Sequence, residues 1–264
     1  MAGDDRPRAL SDFDALLAEA ASTPVGGWDF SRFGDRLCAL PRPWDFARIV
    51  AQQAASAGTM LDLGTGGGEW LAALETRAPR TVATESWSPN VPVARARLAR
   101  LGVDVVETVG APDNVAQAGE LPSLPFGNAS FELVCSRHES YVAAEVARVL
   151  APGGIFLTQQ TGGDYGDFHE LLGRERPAVA EPAWTLAFAT AQLEAAGLVV
   201  EDGAESFEEI RFADVGALAW YLRAIPWVVP GFTIAGYREE LRELVARAPL
   251  GAKQPTFWLR AHRP

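Results

Sequence analysis

The spacing of apolar residues changes period along the chain. Residues 11–21 place Phe13, Leu16, Leu17 and Ala20 at helical spacing behind Ser11, a candidate N-cap, which predicts an amphipathic helix. Residues 22–44 are rich in Pro, Gly and aromatics and read as irregular structure. Helical spacing returns from Asp45 to Ala57 through Phe46, Ile49 and Val50, and Gly58 ends it. From residue 59 short apolar runs alternate with helical stretches. Strands are predicted at Thr59–Leu63, Thr81–Thr84, Val103–Val109, Phe131–Ser136 and Ile155–Thr158. Between them lie a helix opening after the Gly64–Gly68 stretch, a helix over Pro92–Arg100 and another over Val142–Leu150. This alternation implies βαβ units, a parallel sheet and right-handed crossovers, an α/β fold.

Beyond residue 160 the texture changes. Trp184–Ala196 reads as a helix and Leu198–Phe212 as an acidic strand carrying Glu201, Asp202, Glu205, Glu208 and Glu209. Asp214 is placed to cap a helix running to Ala224, whose stripe Val215, Leu218, Leu222 and Ile225 is core, with Trp220 lying off it. Tyr237–Ala248 is a further helix and Thr256–Ala261 a final strand.

Composition narrows the function. The 264 residues hold 48% hydrophobic and 22% charged residues, which sets aside disorder and fibrous repeats. The 34 acids outnumber the 23 bases, and a net charge of −11 speaks against a generic nucleic-acid surface. Cys38 and Cys135 lie far apart, and the three histidines lack ligand spacing, so no metal site is expected. The opening MAGDDRPRALSDFD has no apolar core of signal-peptide length, and no apolar run reaches the roughly 18 residues of a membrane span. A cytoplasmic protein that does not enter membranes, monomer or homodimer, is expected.

The chemistry concentrates at Leu61-Asp62-Leu63-Gly64-Thr65-Gly66-Gly67-Gly68-Glu69, which follows a predicted strand and opens a predicted helix. Glycines there let the backbone turn sharply and let a ligand approach the main chain. Glu85 ends the next strand, 19 residues after Gly66, where a carboxylate can accept ribose hydroxyls. The loop lacks both GxGxxG spacing and the lysine of a P-loop, so a nucleoside without a phosphate at its other end fits better than NAD or ATP.

The segments LDLGTGGGEW, ATESW, GELPSLPFGNASFELV and RVLAPGGIF resemble, in order and spacing, the signatures of class I S-adenosylmethionine-dependent methyltransferases over residues 59–160. The texture is similar to the ubiquinone/menaquinone C-methyltransferase group, and SRHESY, TQQTGG and DVGALAWYL near IPW look like a narrower bacterial set that brings no substrate with it. The resemblance implies a Rossmann-like, seven-stranded, mostly parallel sheet with its last strand antiparallel and helices on both faces. Within a single domain 1–264, residues 1–58 would form a helical cover, 59–160 the cofactor core, and 161–264 the carboxyl-terminal strands and acceptor-side helices.

S-adenosylmethionine is the cofactor so implied. Asp62 with Gly64, Thr65, Gly66 and Gly68 would surround its methionine moiety, and Glu85 its ribose. Trp87 would stack on adenine, and Glu120 with Leu121 would meet the adenine edge, with glutamate standing where the family usually has aspartate. Ser136 and Arg137 would lie near the sulfonium, and His138 or Glu139, just beyond the fourth strand, are the candidate bases touching the acceptor. Asp164, Tyr165, Asp167 and His169 are candidate lining of the same crevice. Trp28, Asp29, Phe30 and Trp44, together with Trp220, Tyr221, Trp227 and Phe232, are candidate walls for a small, partly apolar acceptor. Methyl transfer to RNA or protein, and cofactor binding without transfer, stay open as alternatives.

Overall fold

The computed structural model describes residues 12–25, 31–117, 120–179 and 181–264. Trp28, Asp29 and Phe30, and the N-cap candidate Ser11, lie outside the described residues. The chain divides into two compact units, one of residues 1–42, 164–179 and 207–255, the other of 43–163, 180–206 and 256–264.

The second unit carries the predicted alternation. β2 (Thr59–Leu63) pairs in parallel with β3 (Arg80–Glu85) and with β5 (Phe131–Arg137); β3 pairs in parallel with β4 (Asp104–Glu107), and β5 with β6 (Leu150–Thr161). β8 (Leu250–His262) runs antiparallel to β6, with Ile155 opposite His262 and Thr161 opposite Thr256, as expected of the last strand. The order β1-β7-β8-β6-β5-β2-β3-β4 contains eight strands where seven were expected. The additional strand, β1 (Leu37–Ala39), pairs antiparallel with the end of β7 (Val199–Phe212) in a stretch anticipated as irregular. Three residues are too few to show an alternating pattern.

Helices cover both faces of this sheet. On one face α2 (Phe46–Ala54), α3 (Glu69–Ala73) and α4 (Val91–Leu98) supply Val50, Leu71, Ala94 and Leu98, which pack on Met60, Ala83, Leu133 and Leu157. Asp45 caps α2 by accepting from Arg48 N at 3.0 Å. On the other face α5 (Ala143–Val149) and α7 (Leu186–Ala195) bring Val146, Val149, Ala189 and Leu193 onto Leu61, Leu63, Val134 and Phe156. Strand residues therefore alternate between two apolar layers, as sheets covered on both faces require. β2 has neighbours reached by chain excursions in opposite directions, a switch point that opens a crevice at the strands' carboxyl ends.

The first unit has its own core, built on α1 (Phe13–Ser22), α6 (Phe168–Leu171), α8 (Val215–Ala224) and α9 (Arg238–Leu244). Asp214 caps α8 as expected, accepting from Gly216 N at 2.9 Å and Ala217 N at 3.0 Å, and Arg36 holds its other oxygen at 2.7 Å. Every residue from Val215 to Leu222 is buried. Trp220 is thus buried in this core with its ring 4.9 Å from Phe33, and Tyr221 is buried there and stacks on Phe168. Asp164 and Asp167 are also structural. Asp164 accepts from Gly166 N and pairs with Arg176 at 3.1 Å, Asp167 accepts from Lys253 N, and His169 is buried in this core.

Among the described residues no helix is long and apolar enough to cross a membrane. The acids of β7 are largely engaged. Glu201 meets Arg260 and His262, Glu208 is buried against Arg42 and Gln254, and Glu209 pairs with Arg211.

Candidate functional site

The register of the parallel strands sets Asp62 beside Cys135, Leu63 beside Ser136, and Arg137 beside Gln159 at the carboxyl edge. Between β2 and α3, Gly64, Gly66 and Gly68 have φ of +64°, +63° and +80°, a region that L side chains enter at a cost, so alternating glycines fit this turn. The loop is stitched to the end of β3. Gly64 N donates to Thr84 Oγ1 at 3.3 Å and Thr65 N to Thr84 O at 2.8 Å. Gly66 N donates to Glu85 Oε2 at 2.6 Å.

Glu85 is buried and accepts three backbone N–H groups, since Ser86 N and Trp87 N reach Oε1 at 3.0 and 2.8 Å. Burial raises its pKa and the three donors oppose the shift. A carboxylate offers about four lone-pair positions, so one remains, on Oε2. Such a residue suits a single ligand hydroxyl, a narrower role than holding both hydroxyls of a ribose.

Asp62 is fully buried, and the Cys135 thiol donates to its Oδ1 at 3.3 Å. Burial pushes its pKa up to about 6, against the thiol's hydrogen bond and the charge of Arg137. Arg137 also lies over the Trp70 ring, 5.9 Å from its centroid. Glu139 completes a group of three acids. Its side chain lies over Gly64, where an added Cβ would stand 2.3 Å from Glu139 Cγ, and its Oε1 is 3.4 Å from Ser86 Oγ. Burial, then the charges of Glu85 and Asp62, push its pKa up to about 7 while Ser86 opposes the shift.

The turn that aims Glu139 is tightly held. Ser136 Oγ and Gln160 Nε2 both donate to Glu139 O at 3.1 Å. His138 has a φ of +62°, and its amide donates to Gln159 O at 2.8 Å. A non-glycine residue held in that region is a form of strain that clusters at functional sites. Its imidazole is exposed, with Nε2 3.3 Å from Gln159 Nε2 and Nδ1 3.2 Å from Thr161 Oγ1. Trp44 donates its indole N–H to Gln159 Oε1 at 3.0 Å, which turns the amide nitrogen of Gln159 toward His138.

A cavity opens beside these groups, lined among others by Leu63, Ser86, Gly110, Leu124, Glu139 and Tyr141. Its wall contains a segment that the sequence did not single out. Tyr141 N donates to Asn114 Oδ1 at 3.1 Å, Gln117 Nε2 to Tyr141 O at 2.7 Å, and Gln192 Nε2 to Asn114 O at 2.8 Å, fastening the loop after β4 to the segment just before α5 and to α7. The Tyr141 hydroxyl is buried and has no hydrogen-bond partner among the described residues. Side-chain amides in a loop carry no periodic signal, so only the extra length between β4 and Glu120 could have marked this wall. Trp87 adjoins Glu85 and is 52% exposed, open to a stacking partner. Glu120 is exposed and Leu121 half-buried; Pro122 and Leu124, just after them, line the cavity.

Chemically, the crevice presents a glycine-rich backbone turn, one open carboxylate position on Glu85, and two further acids whose ionised forms are penalised by burial. A ligand carrying both a ribose and a positive charge satisfies these groups, and S-adenosylmethionine carries both. Residues 61–158 match the family model described as methyltransferase domain. No curated protein matches the chain significantly. Among solved structures, a candidate methyltransferase from Bacillus halodurans C-125 is 21% identical with a TM-score of 0.56, covering 83% of this chain and 98% of its own. The YcgJ protein from Bacillus subtilis is 18% identical with a TM-score of 0.54, covering 83% and 97%. A protein of unknown function from Deinococcus radiodurans R1 is 15% identical with a TM-score of 0.53, covering 96% and 100%. At these identities the structures share the fold.

Proposed function

We infer, from the S-adenosylmethionine-dependent methyltransferase domain that residues 61–158 form, that the chain moves a methyl group onto a small, partly apolar organic acceptor. The observation that carries this reading is the convergence of Asp62, Glu85 and Glu139 on the Gly64–Gly68 loop. When bound, the cofactor supplies an electrophilic methyl on a sulfonium. Asp62 and the backbone of Gly64, Thr65, Gly66 and Gly68 would hold its methionine end. Glu85 would take one ribose hydroxyl. Trp87, Glu120 and Leu121 would border the adenine, and Ser136 and Arg137 would back the sulfonium. The motifs similar to the ubiquinone/menaquinone C-methyltransferase group support the same placement.

In-line displacement at carbon depends mainly on alignment and exclusion of water. The buried wall from Leu63 to Tyr141 and the fixed Ser136–Glu139 turn serve that end. Of the two candidate bases, Glu139 enters the crevice, whereas His138 turns to Gln159 and Thr161, where it would fix the edge that the acceptor meets. The apolar lining of Leu63, Leu124, Val142 and Val146 supports a small organic acceptor, and the net charge of −11 weighs against RNA. Calorimetric titration with S-adenosylmethionine, S-adenosylhomocysteine and NAD tests the reading. Binding of the first two without the third is expected; NAD binding alone would overturn it.

A further inference from the structure

The placement of Glu139 goes further than cofactor binding. Its side chain is packed over Gly64, with Oε1 beside Ser86, just after β3, and 3.3 Å from the position of a Cβ on Gly110. The charged groups around it are mostly acids: Asp62 from β2 and Glu85 from β3. The charge of Arg137, at the end of β5, acts on Asp62, where it opposes the rise in pKa. Glu145 of α5 and Tyr141 line the same cavity, and Glu145 is paired with Arg148 at 2.6 Å. No ion pair to Glu139 is found among the described residues. An ionised Glu139 is therefore disfavoured until a cation arrives, and favoured only while that cation remains.

We propose that Glu139 is the proton acceptor of the reaction and that the charge of the cofactor sets its protonation: it gives up its proton as the sulfonium binds and takes one back from the acceptor as the sulfonium charge is lost. This rests on the methyl-transfer reading above. In the transfer the acceptor's lone pair forms the new bond to the methyl carbon, the carbon–sulfur bond breaks with its electron pair passing to sulfur, and the acceptor's X–H proton goes to a Glu139 oxygen. The thioether product is left beside a neutral Glu139, so the proton affinity of the carboxyl rises as the proton is shed. The acceptor class this serves is a neutral hydroxyl, amine or thiol that loses a proton on methylation.

The test is calorimetry on the full chain in buffers of different ionisation enthalpy, which counts protons exchanged on binding. With Glu139 pushed up to about 7 and Asp62 to about 6, S-adenosylmethionine binding at roughly pH 6 should release up to about one proton more than S-adenosylhomocysteine, which lacks the sulfonium charge, while any release from Asp62 is common to both ligands. Glu139→Gln should bind S-adenosylmethionine with that excess largely gone. Carboxyl 13C resonances of the unsubstituted chain read the same group without a variant, and Glu139 should titrate near neutrality alone and well below it with S-adenosylmethionine bound. Equal proton release by both ligands, an excess that persists in Glu139→Gln, or a Glu139 resonance unmoved by S-adenosylmethionine would overturn the proposal while leaving the cofactor reading intact. Failure of both ligands to bind would instead remove the methyl-transfer reading and this proposal with it.

Discussion

Replacing Gly64 by alanine tests the packing on which the site depends. Gly64 has a φ of +64°, where an L residue costs about 1–2 kcal/mol. Its new methyl would stand 2.3 Å from Glu139 Cγ and 2.5 Å from Cβ and Cδ, far inside the roughly 3.5–4.0 Å of carbon–carbon contact. Because the clash reaches Cβ, rotating the glutamate does not relieve it, and the turn after β5 must shift. A distorted rotamer alone costs about 0.5–1.5 kcal/mol. Gly64→Ala should therefore destabilise the fold by about 2–3 kcal/mol, read as a lower denaturant midpoint at unchanged slope. A double-mutant cycle separates the two contributions. In a Glu139→Gly background the alanine should cost only its backbone part, leaving a coupling of about 1 kcal/mol. An alanine cost that is the same in both backgrounds would show that Glu139 does not lie over Gly64, and the carboxylate arrangement would fall.

Glu85→Ala leaves the N–H groups of Gly66, Ser86 and Trp87 without their acceptor, so S-adenosylmethionine affinity should fall by at least tenfold with about 1–3 kcal/mol of lost stability, and calorimetry with thermal unfolding reads both. Burial lowers the pKa of His169 below its ordinary 6.5, so the unfolded chain binds the proton more readily and stability should fall as pH drops below about 6.5. Denaturation midpoints across that window should flatten in His169→Phe, and an unchanged slope counts against the buried neutral imidazole. Asp214→Ala removes two cap bonds from α8 and the partner of Arg36, and should lower stability by about 1–2 kcal/mol; a shift near zero would mean the cap is idle.

The sheet was legible where pattern and packing coincide. Thr59–Leu63 reads as a buried strand because both faces of β2 are covered, and its glycine loop announces the turn that follows. Asp214 announced its helix through the cap. Trp220 lies off the apolar stripe yet is buried, because stripe reasoning assumes a helix with one wet face and every residue of α8 from Val215 to Leu222 is buried. Asp164 and Asp167 fit a polar crevice loop by type, but they serve a turn and an ion pair, a distinction that only tertiary contacts make. β1 and the amides fastening the wall after β4 left no periodic trace. Glu139 was visible as a candidate, yet its position over Gly64 follows from pairing β2 with β5, a contact between residues far apart in the chain.

The central claim is a crevice built for a cationic nucleoside. The most direct test is calorimetric titration of the full chain with S-adenosylmethionine, S-adenosylhomocysteine and NAD, near neutral pH. The structure predicts that S-adenosylmethionine and S-adenosylhomocysteine bind at one site and that NAD does not. Binding of NAD with no response to either sulfur nucleoside would contradict the account.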